Sequence, residues 1–81
     1  MVVNRNPEYF LTIARERNIS RAAEKLYLSQ SSLSQYLAKL EGALEVKLSD
    51  RSKNPLQLTE AGLLYQRYLE HLQPELVSPP V

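Results

Sequence analysis

The run Ser29-Gln30-Ser31-Ser32-Leu33-Ser34-Gln35 sets short hydroxyl and amide groups in close succession, interrupted by a single leucine. Such groups donate and accept hydrogen bonds without carrying charge, which suits the flat polar edges of nucleic-acid bases. A second set is cationic: Arg21, Lys39, Arg51 and Lys53. Guanidinium and ammonium groups of this kind neutralise phosphate. Covalent catalysis is a poor match, because the serines have no base to activate them. His71 is the only histidine and there is no cysteine, so no nucleophile–base–orienter set can be written. The same two counts exclude a disulfide framework and leave no second imidazole for a zinc site. No enzyme activity, metal or cofactor is expected.

The elements that would position these groups must be few. The chain has 81 residues and a formal net charge of +1, enough for one small domain with a compact, local core. Basic residues favour the first two thirds and acids the end, a mild asymmetry compatible with an ordinary solvated surface. No apolar run approaches a membrane span and nothing at the N-terminus reads as a signal peptide, so a soluble cytoplasmic domain is expected.

Asn6-Pro7 suits a helix start, followed by Tyr9, Phe10, Ile13 and Ala14 at helical spacing. Asn18, tolerant of a left-handed backbone, is the expected stop. Ile19 and Ser20 then supply a staple and cap for a short helix from Arg21 to Tyr27 that buries Ala22, Ala23 and Leu26. Leu28-Ser29 repeats the device for a third helix from Gln30 to about Ala43, with Leu33, Leu37, Leu40 and Leu44 along one stripe. Tyr27 and Tyr36 read as core-edge residues. Beyond Leu44 the apolar period shortens to two, around Ser52-Lys53-Asn54-Pro55, which predicts a two-stranded hairpin over about 46–58 with a basic tip. Thr59 caps a fourth helix running to about Gln73, where Pro74 stops it, and residues 74–81 read as a flexible tail. The fold class is therefore mainly α: a winged helix-turn-helix of three short helices, a two-stranded wing and a longer C-terminal helix.

Taking Leu33 as the buried direction, steps of about 100° per residue place Ser31, Gln35 and Ala38 opposite it, with Ser34 and Lys39 on the flanks. A merely solvated face would carry Glu and Lys in long i,i+4 pairs. This one is short and neutral, able to sit deep in a major groove; a Ser-rich helix start without a partner is the plain alternative. Arg51 and Lys53 at the wing tip either touch a nucleic-acid backbone or are solvated edge charges. Arg21 at a helix start has the same two readings. On the fourth helix Ala61, Leu64, Tyr65, Tyr68, Leu69 and Leu72 form an apolar stripe wide for so small a core, which suggests a partner surface. Its alternative is a helix folded back over its own core.

Residues 10–62 resemble the DNA-binding domain of LysR-type transcriptional regulators. The likeness runs through Phe10, Ser20-Arg21-Ala22-Ala23-Glu24-Lys25-Leu26 and Leu28-Ser29-Gln30-Ser31. It continues through Leu33-Ser34, Leu40-Glu41, Val46-Lys47-Leu48, Asp50-Arg51-Ser52 and Leu58-Thr59-Glu60-Ala61-Gly62. The resemblance implies a helix-turn-helix over about 19–38, with Gln30 to Tyr36 facing bases and phosphates. It also implies a wing in which Arg51 and Lys53 approach the backbone or minor groove, and a linker helix over 59–73 that pairs two subunits. This chain departs from the family pattern at Ser31 (usually Pro), Gln35 (commonly Arg), Tyr36 (commonly Gln), Glu45 (usually Gly) and Ser49 (usually Phe). The first three alter readout chemistry, and the last two bear on how the wing packs.

The expected function is sequence-specific binding of double-stranded DNA by a homodimer on an inverted-repeat site. Ser29, Gln30, Ser31, Ser32, Ser34 and Gln35 would read or position on the DNA, while Arg21, Lys39, Arg51 and Lys53 would meet phosphate. Leu64, Tyr65, Tyr68, Leu69 and Leu72 would form the dimer interface. The rival reading is a winged-helix protein-interaction module that pairs through the fourth helix without touching DNA. Full LysR-type regulators continue into a ligand-sensing domain of two α/β lobes, and these 81 residues encode none. A small-molecule effector would act only through a domain outside this chain, which reads either as an excised domain or as a naturally short protein.

Overall fold

The computed structural model describes residues 6–72. In chain order these form α1 (Asn6–Glu16), α2 (Ile19–Leu26), α3 (Gln30–Leu44), β1 (Ser49–Asp50), β2 (Gln57–Leu58) and α4 (Glu60–Leu72). The two strands are antiparallel, with Ser49 opposite Leu58 and Asp50 opposite Gln57. This is the winged helix-turn-helix that the sequence predicts. The expected stop at Pro74 and the tail over 74–81 lie outside the described residues.

The helix ends differ in detail from expectation. Asn6 already belongs to α1 instead of preceding it. Arg17, not Asn18, takes the left-handed conformation at φ 53°, and its N–H donates to the Ile13 carbonyl at 2.8 Å. That single bond closes α1. Asn18 is freed to cap α2, its side-chain oxygen accepting from the Arg21 N–H at 2.9 Å. The helix therefore starts at Ile19, and Ser20 is not its cap. Tyr27 is also left-handed, at φ 58°, with the Leu28 N–H reaching the Ala23 carbonyl at 2.9 Å. Its side chain is 92% exposed, so the core-edge expectation for Tyr27 fails. A residue at this turn must leave the helix with positive φ, and the side chain is thrown outward with it. Ser29 caps α3 as predicted, accepting from the Ser32 N–H at 3.0 Å.

Phe10, Leu11 and Ile13 of α1 meet Ala22, Ala23 and Leu26 of α2 and Leu33 and Leu37 of α3 in one core. Leu48, Leu56 and Leu69 close it from the wing and α4. The expected α3 stripe holds for Leu33 and Leu37, is half-buried at Leu40, and fails at Leu44, which is exposed. Glu41 is buried in its place. The reason is the α3 exit: Glu45 is left-handed at φ 56°, and the chain turns back across Glu41.

The wing is shorter than the alternating pattern over 46–58 suggests, two residues per strand, and Val46 is exposed. Leu48 and Ser49 are buried consecutively, because one packs into the core while the other faces the Glu41 carboxylate. Thr59 joins the wing to α4: its Oγ accepts from the Gly62 N–H at 3.0 Å and donates to the Lys47 carbonyl at 2.6 Å. Gly62 lets the first turn of α4 lie against the Leu48 backbone, since a Cβ there would sit 1.9 Å from the Leu48 carbonyl oxygen. None of the helices among the described residues is long and apolar enough to cross a membrane.

Candidate nucleic-acid interface

Because Leu33 and Leu37 face inward, the opposite side of α3 faces out. Ser31, Ser32, Gln35, Ala38 and Lys39 are exposed and Ser34 is half-buried. The start of this face is held by a chain of short bonds: Ser29 Oγ donates to Ser32 Oγ at 2.8 Å, and Ser20 Oγ donates to Gln30 Oε1 at 2.9 Å. The second bond ties the start of α2 to the start of α3. Ser29 is thus a cap, and the amide oxygen of Gln30 is engaged within the protein. Ser31 and Gln35 carry no such restraint.

Tyr36 does not join the outward face. Its ring is half-buried and meets Tyr9 edge-on at 5.3 Å and 88°. Burial, followed by the neighbouring Tyr65, pushes its phenol above its ordinary pKa. The resemblance-based placement of Tyr36 on bases or phosphates is therefore corrected, while its reading as a core-edge residue holds. Tyr9, Tyr36 and Tyr65 line a groove of about 670 Å³ together with Ser32, Gln35 and Lys39 of α3. Lys39 accordingly flanks the outward face on the side away from the wing.

Arg51 and Lys53 are exposed at the wing tip. Arg51 reaches back to the helix, its Nη2 donating to Ser34 Oγ at 2.9 Å. The turn below it is held by Asp50, whose carboxylate accepts from both the N–H and the Oγ of Ser52. These bonds, the side-chain one first, keep Asp50 below the usual carboxylate range. At the base of the wing the buried Glu41 carboxylate accepts from the Leu48 N–H at 2.8 Å, the Ser49 N–H at 3.2 Å and Ser49 Oγ at 3.3 Å. Lys47 lies 3.9 Å from its other oxygen, but that lysine is 82% exposed and adds little beside the hydrogen bonds. Ser34 and Glu41 are two turns apart on α3, and they meet Arg51 in the wing turn and Ser49 in β1. The wing is braced on α3 at both ends.

Arg21 is exposed at the start of α2 and does not line the cleft that Arg51 and Lys53 share. Of the residues expected at a dimer interface, Leu64, Tyr68 and Leu72 are 59%, 58% and 50% exposed. Tyr65 is half-buried, stacked edge-on against Phe10 at 5.1 Å. Leu69 is 4% exposed. Its expected place in a subunit contact is corrected, since its side chain fills the core. Leu63, which the stripe omitted, is exposed beside Leu64. Two further residues escape the sequence reading: Glu41, carried there only as part of a motif, and Arg17, whose position beside the wing no periodicity signals. Among the described residues no group of three or more His, Cys, Asp or Glu side chains could hold a metal.

The model of the LysR family of bacterial regulatory helix-turn-helix proteins matches residues 5–63. The chain belongs to the LysR family. Its winged helix-turn-helix is the DNA-binding domain of that family. A probable RuBisCO transcriptional regulator of Phaeodactylum tricornutum is 43% identical over 60 residues, covering 74% of this chain and 20% of the relative. The chain spans about a fifth of the length of the curated relatives it matches. Among solved structures, the BenM DNA-binding domain in complex with catB site 1 DNA superposes with a TM-score of 0.83 at 30% identity, over 88% of this chain and 76% of that one. Vibrio fischeri DarR in complex with DNA gives 0.82 at 32% identity, over 93% of this chain and 26% of that one.

Proposed function

We propose that this LysR-type domain binds duplex DNA sequence-specifically, with α3 in the major groove and the wing on the backbone or minor groove. The observation that carries the reading is the neutral, small-residue outward face of α3, with Ser31, Gln35 and Ala38 exposed beside a wing whose Arg51 is bonded to Ser34. Small side chains allow the helix deep entry, hydroxyl and amide groups suit base edges, and the wing cations suit phosphate. The solved DNA complexes of BenM and DarR, similar in fold and sequence, support DNA as the partner. Residues up to 58 form the DNA-reading unit and 59–73 the pairing helix. Its place of action is the cytoplasm, and a small-molecule effector would act only through a domain outside this chain.

Exposure of Leu63, Leu64, Tyr68 and Leu72 along α4 supports a homodimer on an inverted-repeat site. The same patch keeps one rival open, a module that pairs with another protein and leaves DNA alone. In vitro selection of duplexes by the purified chain separates the two. A recovered consensus with salt-dependent affinity is expected, and no enrichment over random duplex would leave protein pairing as the reading. Gln35 sharpens the test. Its amide matches adenine N6 and N7, whereas arginine matches guanine O6 and N7, so Gln35→Arg should move one selected base from adenine to guanine, a discrimination of ~1–3 kcal/mol. Identical profiles for the two proteins would show that Gln35 reads no base.

A further inference from the structure

A cleft of about 230 Å³ opens between the α1–α2 turn, the start of α3 and the wing. Its polar lining includes the cations Arg17, Arg51 and Lys53 together with Ser20, Gln30 and Asn54. No carboxylate is among the lining residues, in a chain whose 10 basic and 9 acidic residues nearly balance. The nearby acid, Asp50, is turned to Ser52 of its own turn, with Lys53 only a lesser influence on it. Two of the three cations come from the wing, and the third, Arg17, comes from the far end of α1. They are brought together by the backbone: the Leu56 N–H donates to the Arg17 carbonyl at 3.1 Å. The left-handed Arg17 thereby fixes where its own side chain leaves the chain. The Ser20–Gln30 and Arg51–Ser34 bonds hold the neighbouring walls.

We infer that this cleft is a seat for one backbone phosphate of the duplex, and that Arg17 is a DNA-contacting residue. The inference rests on the DNA-binding reading above and extends it to a position outside the helix-turn-helix and the wing. Three cations facing one cleft without a counter-charge repel one another, and a phosphodiester relieves that repulsion while accepting from guanidinium, ammonium and hydroxyl donors. The chemistry would also admit free phosphate. The duplex is the source because the cleft adjoins the outward face of α3 through Gln30, which lines it, and through Arg51, which is bonded to Ser34.

The test is the salt dependence of binding to one specific and one random duplex. Arg17→Gly removes the side chain and suits the left-handed backbone, so the fold should persist; thermal melting checks that. The variant should lower the slope of log affinity against log salt by about 0.9 on both duplexes. Between 50 and 200 mM salt its affinity should then fall about 3.5-fold less than that of the natural chain. Arg17→Lys should retain most of the slope, and Arg67→Ala on the outer side of α4 should leave it unchanged. An unaltered slope in Arg17→Gly, with the natural chain binding normally, overturns the seat and leaves DNA binding standing. Failure of the natural chain to bind duplex overturns both. Inorganic phosphate titrated at constant ionic strength is the last arm: submillimolar saturation that duplex does not displace would assign the cleft to free phosphate and refute the duplex contact.

Discussion

Glu41 offers a quantitative check on how the wing is held. Its carboxylate is the partner of the Leu48 and Ser49 N–H groups and of Ser49 Oγ, and Leu48 and Ser49 are 1% and 7% exposed. Glu41→Ala removes the acceptor and leaves two buried N–H groups to find water. An unsatisfied buried donor costs about 1–3 kcal/mol. Partial entry of water into the space left by the side chain lowers the sum, so a loss of about 2–4 kcal/mol is expected. Glu41→Gln keeps one carbonyl oxygen on the same donors and gives up the charge assistance, for a loss of about 1 kcal/mol. Urea denaturation gives both values from the shift in midpoint at constant m. Amide exchange at Leu48 and Ser49 localises the effect, since these protons should exchange faster in Glu41→Ala even where α1 and α2 remain protected. A Glu41→Ala midpoint within about 0.5 kcal/mol of the natural chain, the scatter of ordinary surface changes, would refute the brace.

Changing Arg51 and Lys53 together to Ala should weaken binding similarly on all duplexes and lower the salt slope by about one unit per lost phosphate contact, read by mobility shift across salt concentrations. Replacing Tyr68 and Leu72 with Glu should yield a folded monomer with much weaker binding to a two-half-site duplex; a natural chain that sediments as a monomer at high concentration would refute the α4 contact. Gly62→Ala should destabilise the domain by about 3 kcal/mol or more, because the added Cβ meets the Leu48 carbonyl oxygen, part of a backbone that can move only with the wing; thermal melting checks it. Asp50 has a depressed pKa in the fold, so its contribution is present above the unfolded carboxylate value near about 4 and lost as pH falls through the folded one. The Ser52 amide should therefore stay protected from pH 7 down to about 5 and lose protection only in stronger acid, as followed by NMR.

The architecture was legible because short-range signals agree with one another. Ser29 and Thr59 cap where their types predict, and Leu33 and Leu37 mark the inward side of α3, which leaves Gln35 outside. Most of what the sequence hides has one physical cause, the left-handed helix exits. Glycine would advertise such an exit, but here Arg17, Tyr27 and Glu45 occupy them, each at ~1–2 kcal/mol over the right-handed form. The residue types consequently put the stop one residue late, at Asn18. They put Tyr27 at the core edge and carry no sign of the change of direction at Glu45 that buries Glu41 and exposes Leu44. Leu69 differs from expectation for a different reason: a stripe of apolar residues on one helix does not say which of its two flanks meets the home core.

The departures at Ser49 and Glu45 matter together. A phenylalanine at position 49 would hold the wing by burying a ring; serine cannot, yet the position is buried. Its hydroxyl and N–H instead turn to Glu41, which is within reach because the chain doubles back at Glu45. Beside the buried Leu48 and Leu56, the wing of this protein is therefore fixed at position 49 by direction-dependent hydrogen bonds to α3 instead of by a buried ring. Arg51 adds a second bond to the same helix at Ser34. With both ends anchored on α3, the wing cations cannot shift along a groove independently of Gln35. Phosphate contact by the wing and base contact by the helix should then respond as one unit. In a Ser34→Ala, Arg51→Ala double-mutant cycle on specific duplex, the two losses should combine to less than their sum. Strict additivity would mean that helix and wing engage DNA independently.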